Sequence, residues 1–353
     1  IFWPNECKNL RIINTNDQIK NVFLFDNPIT DNTLPLNLKE LPTLAETIKG
    51  DLIDNIFFPH DDIIFIPKDL KLQKEHSLYL RDNQKIILKN GSSLVLFGNV
   101  NIEASEGKEV LVEGEMPESG SIISIDNKFS AENLVLKNLT FPKAKGYILY
   151  GGLNIINSEV NLRNVVIMNS LSEDSLNLIN SNSNLNNIKF INSQSDALDI
   201  DSGTANLNNI FCNKINNDCL DFSNANIEGN NIFANGVLDK SLSIGENSNV
   251  KISNIKINNS EIGLAVKDNS KAFIKSLNLQ NVTLPLAVFV KKNEYGPAQL
   301  EITDLVTNNS NEIYLVDDAS KLKIEGKLFE GSEKGSVIES YLYGNKYGRA
   351  TVR

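Results

Sequence analysis

Asp199 and Asp221 stand 22 residues apart, with Asp201 two positions after the first and Lys267 further along the chain. If the fold brings these carboxylates together they repel, so one must be protonated or a cation must bridge them. Two chemistries follow. A carboxylate pair in which one member is acid and the other base is the equipment for glycosidic bond cleavage. Three oxygen-bearing side chains, Asp199, Asp201 and Asp221, are also the beginning of a hard-ion site, for which Ca²⁺ is the natural candidate. Lys267 adds a third chemistry, β-elimination, in which a basic side chain takes the proton beside a uronate carboxylate. Asp201, Ser243, Glu246, Lys291 and Lys292 are the candidate substrate contacts around this set. The plain alternative is a solvated acidic face that keeps the chain soluble.

The elements that must position these residues repeat. Leu176, Leu198, Leu220, Leu242, Leu264 and Leu286 follow one another at a constant interval of 22. Two positions after each stands Leu178, Ile200, Phe222, Ile244, Val266 or Val288, so every repeat contains an apolar, alternating strand. Further apolar patches, such as Leu185/Ile188 and Leu207/Ile210, give each repeat two or three short strands joined by polar turns. Helical periodicity and helix caps are missing from this stretch, which argues against a leucine-rich repeat. The expected fold is an all-β, right-handed, single-stranded parallel β-helix with coils of about 22 residues and capping segments. In its main strand the leucines point inward. Asn177, Asp199, Asp221, Ser243, Ala265 and Ala287 then line one outward column, and stacked coils lie roughly 4.8 Å apart.

Asparagine explains the corners. Asn187, Asn209 and Asn231 recur at the repeat interval, and Asn tolerates left-handed backbone while its amide can bond to its equivalents above and below. A second ladder, Asp174, Asp196 and Asp218, precedes the core leucines and gives way to Asp239-Lys240. It reads as structural capping of backbone N–H groups at the strand entrance.

The net charge of −10 and the pI near 4.9 argue against nucleic acid or anionic membrane as partners, because the phosphate term would be repulsive. Neutral or cation-bridged polymers fit better. No apolar run is long enough to insert into a membrane. His60 and His76 both precede the regular coils, so a zinc site is not expected. Cys212 and Cys219 could pair within one coil; free, buried thiols are the alternative reading. The chain opens on Ile with no signal-peptide pattern, which suggests a mature or excised segment.

Three regions are expected. Residues 1–75 are a proline-containing, non-repeating cap with a short helix around 41–49; residues 76–325 are the β-helix; residues 326–353 are a closing tail. A loop leaves the wall within 113–130, and residues 291–297 are inserted at a corner.

Two blocks are distinctive: Asp239-Lys240-Ser241-Leu242-Ser243-Ile244-Gly245-Glu246, and Lys267-Asp268 with Ser270. In these, over about residues 75–325, the sequence resembles the parallel β-helix domains that accompany spore-coat-kinase-like (CotH-type) modules in bacterial surface proteins. That resemblance implies the fold and a bacterial envelope or secreted setting, within a larger multidomain surface protein, and no catalytic assignment. Within the broader pectin-lyase-like superfamily, Asp199, Asp201 and Asp221 are similar in placement to the aspartates of polygalacturonase-like hydrolases, although the Gly-His-Gly and Arg-Ile-Lys blocks are missing. Lys267 and Glu246 loosely resemble the alginate-lyase-like arrangement, but no arginine stands between Arg163 and Arg349.

The expectation is a secreted, cell-surface or periplasmic β-helix that binds polysaccharide along its exposed sheet without catalysis. A lyase or hydrolase with Asp199, Asp221 and Lys267 as catalytic residues is the enzymatic alternative, and a purely structural spacer is the third.

Overall fold

In the computed structural model the described residues are 38, 40–142, 149–309, 314–344 and 346–347. They form a parallel β-helix. Leu176 pairs in register with Leu198 and Leu198 with Leu220. Leu242 pairs with Leu264, and Leu264 with Leu286. The repeat of the sequence is therefore the repeat of the coil. It loosens toward the beginning, where Ile122 pairs with Leu153 and Leu153 with Leu176, intervals of 31 and 23 residues. Parallel pairing starts before residue 76: Ile63–Ile66 already lies against Lys85–Leu88.

Each regular coil has three strand segments and hence three faces. In the coil that begins at Asp196, face A runs over residues 196–201, face B over 203–208 and face C over 210–215. Inward side chains are mostly Leu, Ile, Val and Phe, with Ala and Cys at positions such as Ala205 and Cys212, and Phe129, Phe190 and Phe222 are fully buried in one continuous core. Burying each such side chain is worth roughly 1.5–3 kcal/mol, which is what selects this register over a one-residue slip. Hairpins close both ends: Gly50–Ile53 pairs antiparallel with Ile56–Pro59, and Lys321–Ile324 with Lys327–Phe329. Antiparallel returns of this kind keep the terminal strands from presenting long free edges.

The corners are asparagine ladders. Asn164, Asn187, Asn209 and Asn231 all have positive φ, between 55° and 57°. The Asn187 amide donates to Asn164 Oδ1 at 2.7 Å, and the Asn231 amide to Asn209 Oδ1 at 3.0 Å. A β-carbon makes this backbone region costly for other residues. Asn209→Ala should therefore lower stability by about 1–2 kcal/mol, and Asn209→Gly by less, in urea unfolding. Equal effects for the two variants would separate the ladder from the backbone geometry.

Helix α1 is a single turn, Leu44–Thr47, within the stretch expected to be helical. Thr43 caps it by accepting from the Glu46 N–H at 3.3 Å. The loop within 113–130 is narrower than the sequence suggests, because Val110–Gly114, Ser121–Ile125 and Lys128–Lys137 are all strands. Residues 290–298 do leave the wall, between Lys271–Phe289 and Gln299–Asn308. Cys212 and Cys219 form a disulfide inside one coil. Cys7 and the apolar run at 22–25 lie outside the described residues. Among the described residues no helix is long and apolar enough to cross a membrane.

After the last hairpin the chain turns back. Helix α2, Gly335–Leu342, packs Ile338 and Leu342 on the outside of face A, against Ile262, Ala265, Leu284, Ala287 and Phe289. Helix α2 thus covers a wall of the solenoid.

Candidate functional site

Face A carries the outward column on which the acidic residues fall. In register, coil by coil, it reads Val95, Ile123, Asn154, Asn177, Asp199 and Asp221. Further on come Ser243, Ala265, Ala287 and Leu315. Both ends of this column are sealed. Val95 and Ile123 are buried with Phe97, Ile125 and Ile156 beneath Leu38 and Leu149. Ala265 and Ala287 are buried beneath α2. Between the seals Asp199, Asp201 and Asp221 remain half-buried, in the recess left between the two covers.

Asp199 and Asp221 are register partners on adjacent coils, whereas Asp201 pairs with Ser223. Stacking at roughly 4.8 Å makes Asp199 and Asp221 near neighbours. Burial pushes the Asp199 pKa well above the usual carboxylate range, with Asp201, Asp174 and Asp221 adding to it. Asp201 is raised to about 6, by burial first and then by Asp221 and Glu246. Asp221 Oδ1 is buried and accepts no hydrogen bond, and Asn177 Oδ1, two coils earlier in the column, is in the same condition. Asp199, its pKa pushed up by burial, lies between these two bare acceptors in the column. For the hard-ion reading, no group of three or more His, Cys, Asp or Glu side chains among the described residues is placed to hold a metal ion. Asp199, Asp201 and Asp221 share a recess without converging on a point.

Lys267 is outward-directed but not exposed: only 8% of it is accessible. Its Nζ donates to Ser243 Oγ at 2.8 Å and lies 3.5 Å from the Tyr343 hydroxyl. Gly245 makes room for its stem, since a β-carbon there would stand 2.7 Å from Lys267 Cε. Burial pulls the Lys267 pKa down, but the Tyr343 oxygen, Asp221 and Asp218 outweigh it, and the net shift is upward. A lysine held charged has no free lone pair, so it is not equipped to abstract a proton.

The rim is made by the residues after Gly245 and Phe289. Glu246 is ion-paired with Lys292. The backbone N–H groups of Lys291 and Lys292 both donate to Asp268 Oδ1 at 2.7 Å. Lys291 Nζ sits 3.9 Å from the centre of the Tyr343 ring.

Two members of the Asp ladder cap backbone as their position suggested, whereas Asp174 accepts from the Asn177 side-chain amide instead. Asp196 Oδ1 accepts from the Asp218 N–H at 2.7 Å, and Asp218 Oδ1 from the Lys240 N–H at 2.9 Å. What the sequence reading missed is where Lys240 goes. It is 3% exposed, and its Nζ lies 3.0 Å from Asp218 Oδ1 and 2.7 Å from Asp239 Oδ2. The signal was present as a lysine replacing an aspartate of the ladder, 22 residues after Asp218. Burial raises Asp174 and Asp218 to about 7 and Asp196 well above its ordinary value.

These features define a parallel β-helix with a carboxylate-lined recess on one wall. No protein-family model matches the chain, and no curated protein does. Among solved structures, two mutants of the periplasmic alginate epimerase AlgG are similar. One has a TM-score of 0.35 at 9% identity, covering 78% of each chain. The other has a TM-score of 0.36 at 10% identity, covering 84% of this chain and 81% of that one. At such overlap and identity the likeness carries no argument about the site.

Proposed function

We propose that this chain is an extracytoplasmic β-helix that binds polysaccharide in the face A recess. The observation that supports this is the break in an otherwise sealed column, where Asp199, Asp201 and Asp221 stay accessible between two apolar covers. Carboxylates fixed on a rigid sheet accept hydrogen bonds from sugar hydroxyls without paying side-chain entropy again on binding. The surrounding negative charge favours a neutral glycan over an anionic one. The Cys212–Cys219 disulfide supports an oxidising, extracytoplasmic setting.

A second reading, glycoside hydrolysis, is favoured by the pairing of Asp199 with Asp221. Their stacking at roughly 4.8 Å resembles the separation of about 5–5.5 Å found in retaining glycosidases. Asp199, its pKa pushed up by burial, is suited to act as the acid, and Asp221, with one oxygen unpaired, as the nucleophile. Elimination is less well supported, because Lys267 is a buried cation.

Calorimetry with short neutral oligosaccharides, alongside an assay for new reducing ends, tests both. Asp199→Asn and Asp221→Asn should each weaken binding about tenfold, a loss of roughly 1.4 kcal/mol. Under the hydrolytic reading either change also abolishes release of reducing ends, and wild-type turnover falls as pH rises through the Asp199 pKa. No affinity and no cleavage across neutral and uronate oligosaccharides would overturn both readings of the face A recess.

A further inference from the structure

The neighbouring wall, face B, carries two outward columns of unusual composition. In register one reads Asn101, Ser130, Asn161, Asn184, Asn206 and Glu228; beside it runs a column with Glu132, Arg163, Asn186 and Asn208. A groove of about 530 Å³ lies along them, and a second of about 280 Å³ continues from Asn206 to Lys251. From Asn101 to Lys251 there are six coil steps, roughly 29 Å at about 4.8 Å per step.

These asparagines are not explained by the corners. Asn184, Asn186, Asn206 and Asn208 lie in mid-strand with no positive φ, where Asn is a poor strand former. They are exposed, and nothing among the described residues seals this wall as α2 seals face A. Their amides are aligned: Asn206 donates to Asn184 Oδ1 at 2.9 Å, and Asn208 to Asn186 Oδ1 at 3.4 Å. Each amide has two N–H donors and two acceptor lone pairs, so the ladder leaves a donor and an acceptor of every rung facing outward. The first groove's cation, Arg163, is paired with Glu132, and the second's, Lys251, is the register partner of Glu228, so an anionic polymer would meet a carboxylate beside each positive charge.

We propose that face B is a second binding track, for an extended, neutral, hydroxyl-bearing polysaccharide lying along the solenoid axis. The track is separate from the recess on face A, and either can fail while the other stands. Its contacts are many and individually weak, so affinity grows with chain length, which the short oligosaccharides used for face A do not exploit.

The test uses the Asp199→Asn/Asp221→Asn protein, in which the face A contacts are removed, and hydroxyethyl cellulose as the probe in native affinity electrophoresis. Retardation is expected, and adding Asn184→Ser and Asn206→Ser should weaken it at least tenfold with the circular dichroism spectrum unchanged. An environment-sensitive fluorophore on Ser130→Cys reads the groove directly and should shift its emission when the polymer is added. Unchanged retardation in the serine variant, or a silent fluorophore, overturns the proposal. So does sedimentation showing that the serine changes convert a dimer to a monomer, since the face would then be an interface between copies.

Discussion

Lys240→Met is expected to destabilise the folded chain by about 3–5 kcal/mol near pH 8, among the largest effects of any single substitution. Lys240 is the cation between Asp218 and Asp239, and all three side chains are no more than 5% exposed. Removing it strands two carboxylates out of water. The penalty of the variant is the desolvation of those charges rather than the worth of the pair. It also removes a cation lying 5.3 Å from the centre of the Tyr343 ring, at the end of α2, so hydrogen exchange in α2 should speed up. Urea unfolding measures the main effect. The triple variant Asp218→Asn/Asp239→Asn/Lys240→Met should recover most of the loss, because it removes the stranded charges as well. At pH 5 the cost of Lys240→Met alone should shrink, since Asp218 titrates at about 7 and is then neutral. An unfolding midpoint that does not move at pH 8 would show that the triad is not buried in solution.

The second large effect is the pH dependence of stability itself. Asp174 and Asp218 titrate at about 7 and Asp201 at about 6, with Asp196 and Asp199 also raised, in each case by burial before any neighbouring charge. In the unfolded chain these carboxyls titrate near 3.8. Between about pH 4 and pH 7 the folded state therefore holds more protons than the unfolded state, and stability falls as pH rises. Their contribution is fully present below about pH 4 and is lost through pH 6–7. Glu113 works in the opposite direction. Lys85 and Lys137 hold its pKa down, so its contribution is lost at still lower pH. The expected optimum lies near pH 4, with stability there exceeding that at pH 8 by about 2 kcal/mol or more. A urea midpoint that climbs steadily from pH 5 to pH 8 would contradict the burial of the aspartate ladder.

How much of this was legible from the residues differs by element. The leucine column was fully legible, because a parallel coil repeats its inward positions at a constant interval and six identical residues marked it. The asparagine corners were legible for the same reason, since left-handed backbone restricts the choice of residue. Asp199 and Asp221 fell one coil apart as the period required. The β-helix resemblance pointed to the same fold, which the register alone establishes. The pairing of Cys212 with Cys219 was left open by their spacing.

Accessibility was a different matter. Lys267 was read as a candidate base reachable from solvent, but it is buried, and the Tyr343 hydroxyl, 76 residues later, meets its Nζ. Outward from the core is not the same as facing water when another segment returns to cover the wall. Lys240 was placed correctly in its ladder, and its neutralisation by Asp218 and Asp239 followed only from burial.

By itself the sequence determined the winding of the backbone, the inward and outward sets, and which residues share a column, because these follow from a local period of hydrophobicity and turn chemistry. The tertiary structure decided which walls remain open. Where α2 and Leu38 settle depends on long-range packing against Ala265, Ala287, Val95 and Ile123, contacts with no period to announce them. The same packing sets the burial that raises Asp199 and keeps Lys267 charged, since an ionisable group's behaviour is fixed by what excludes water from it.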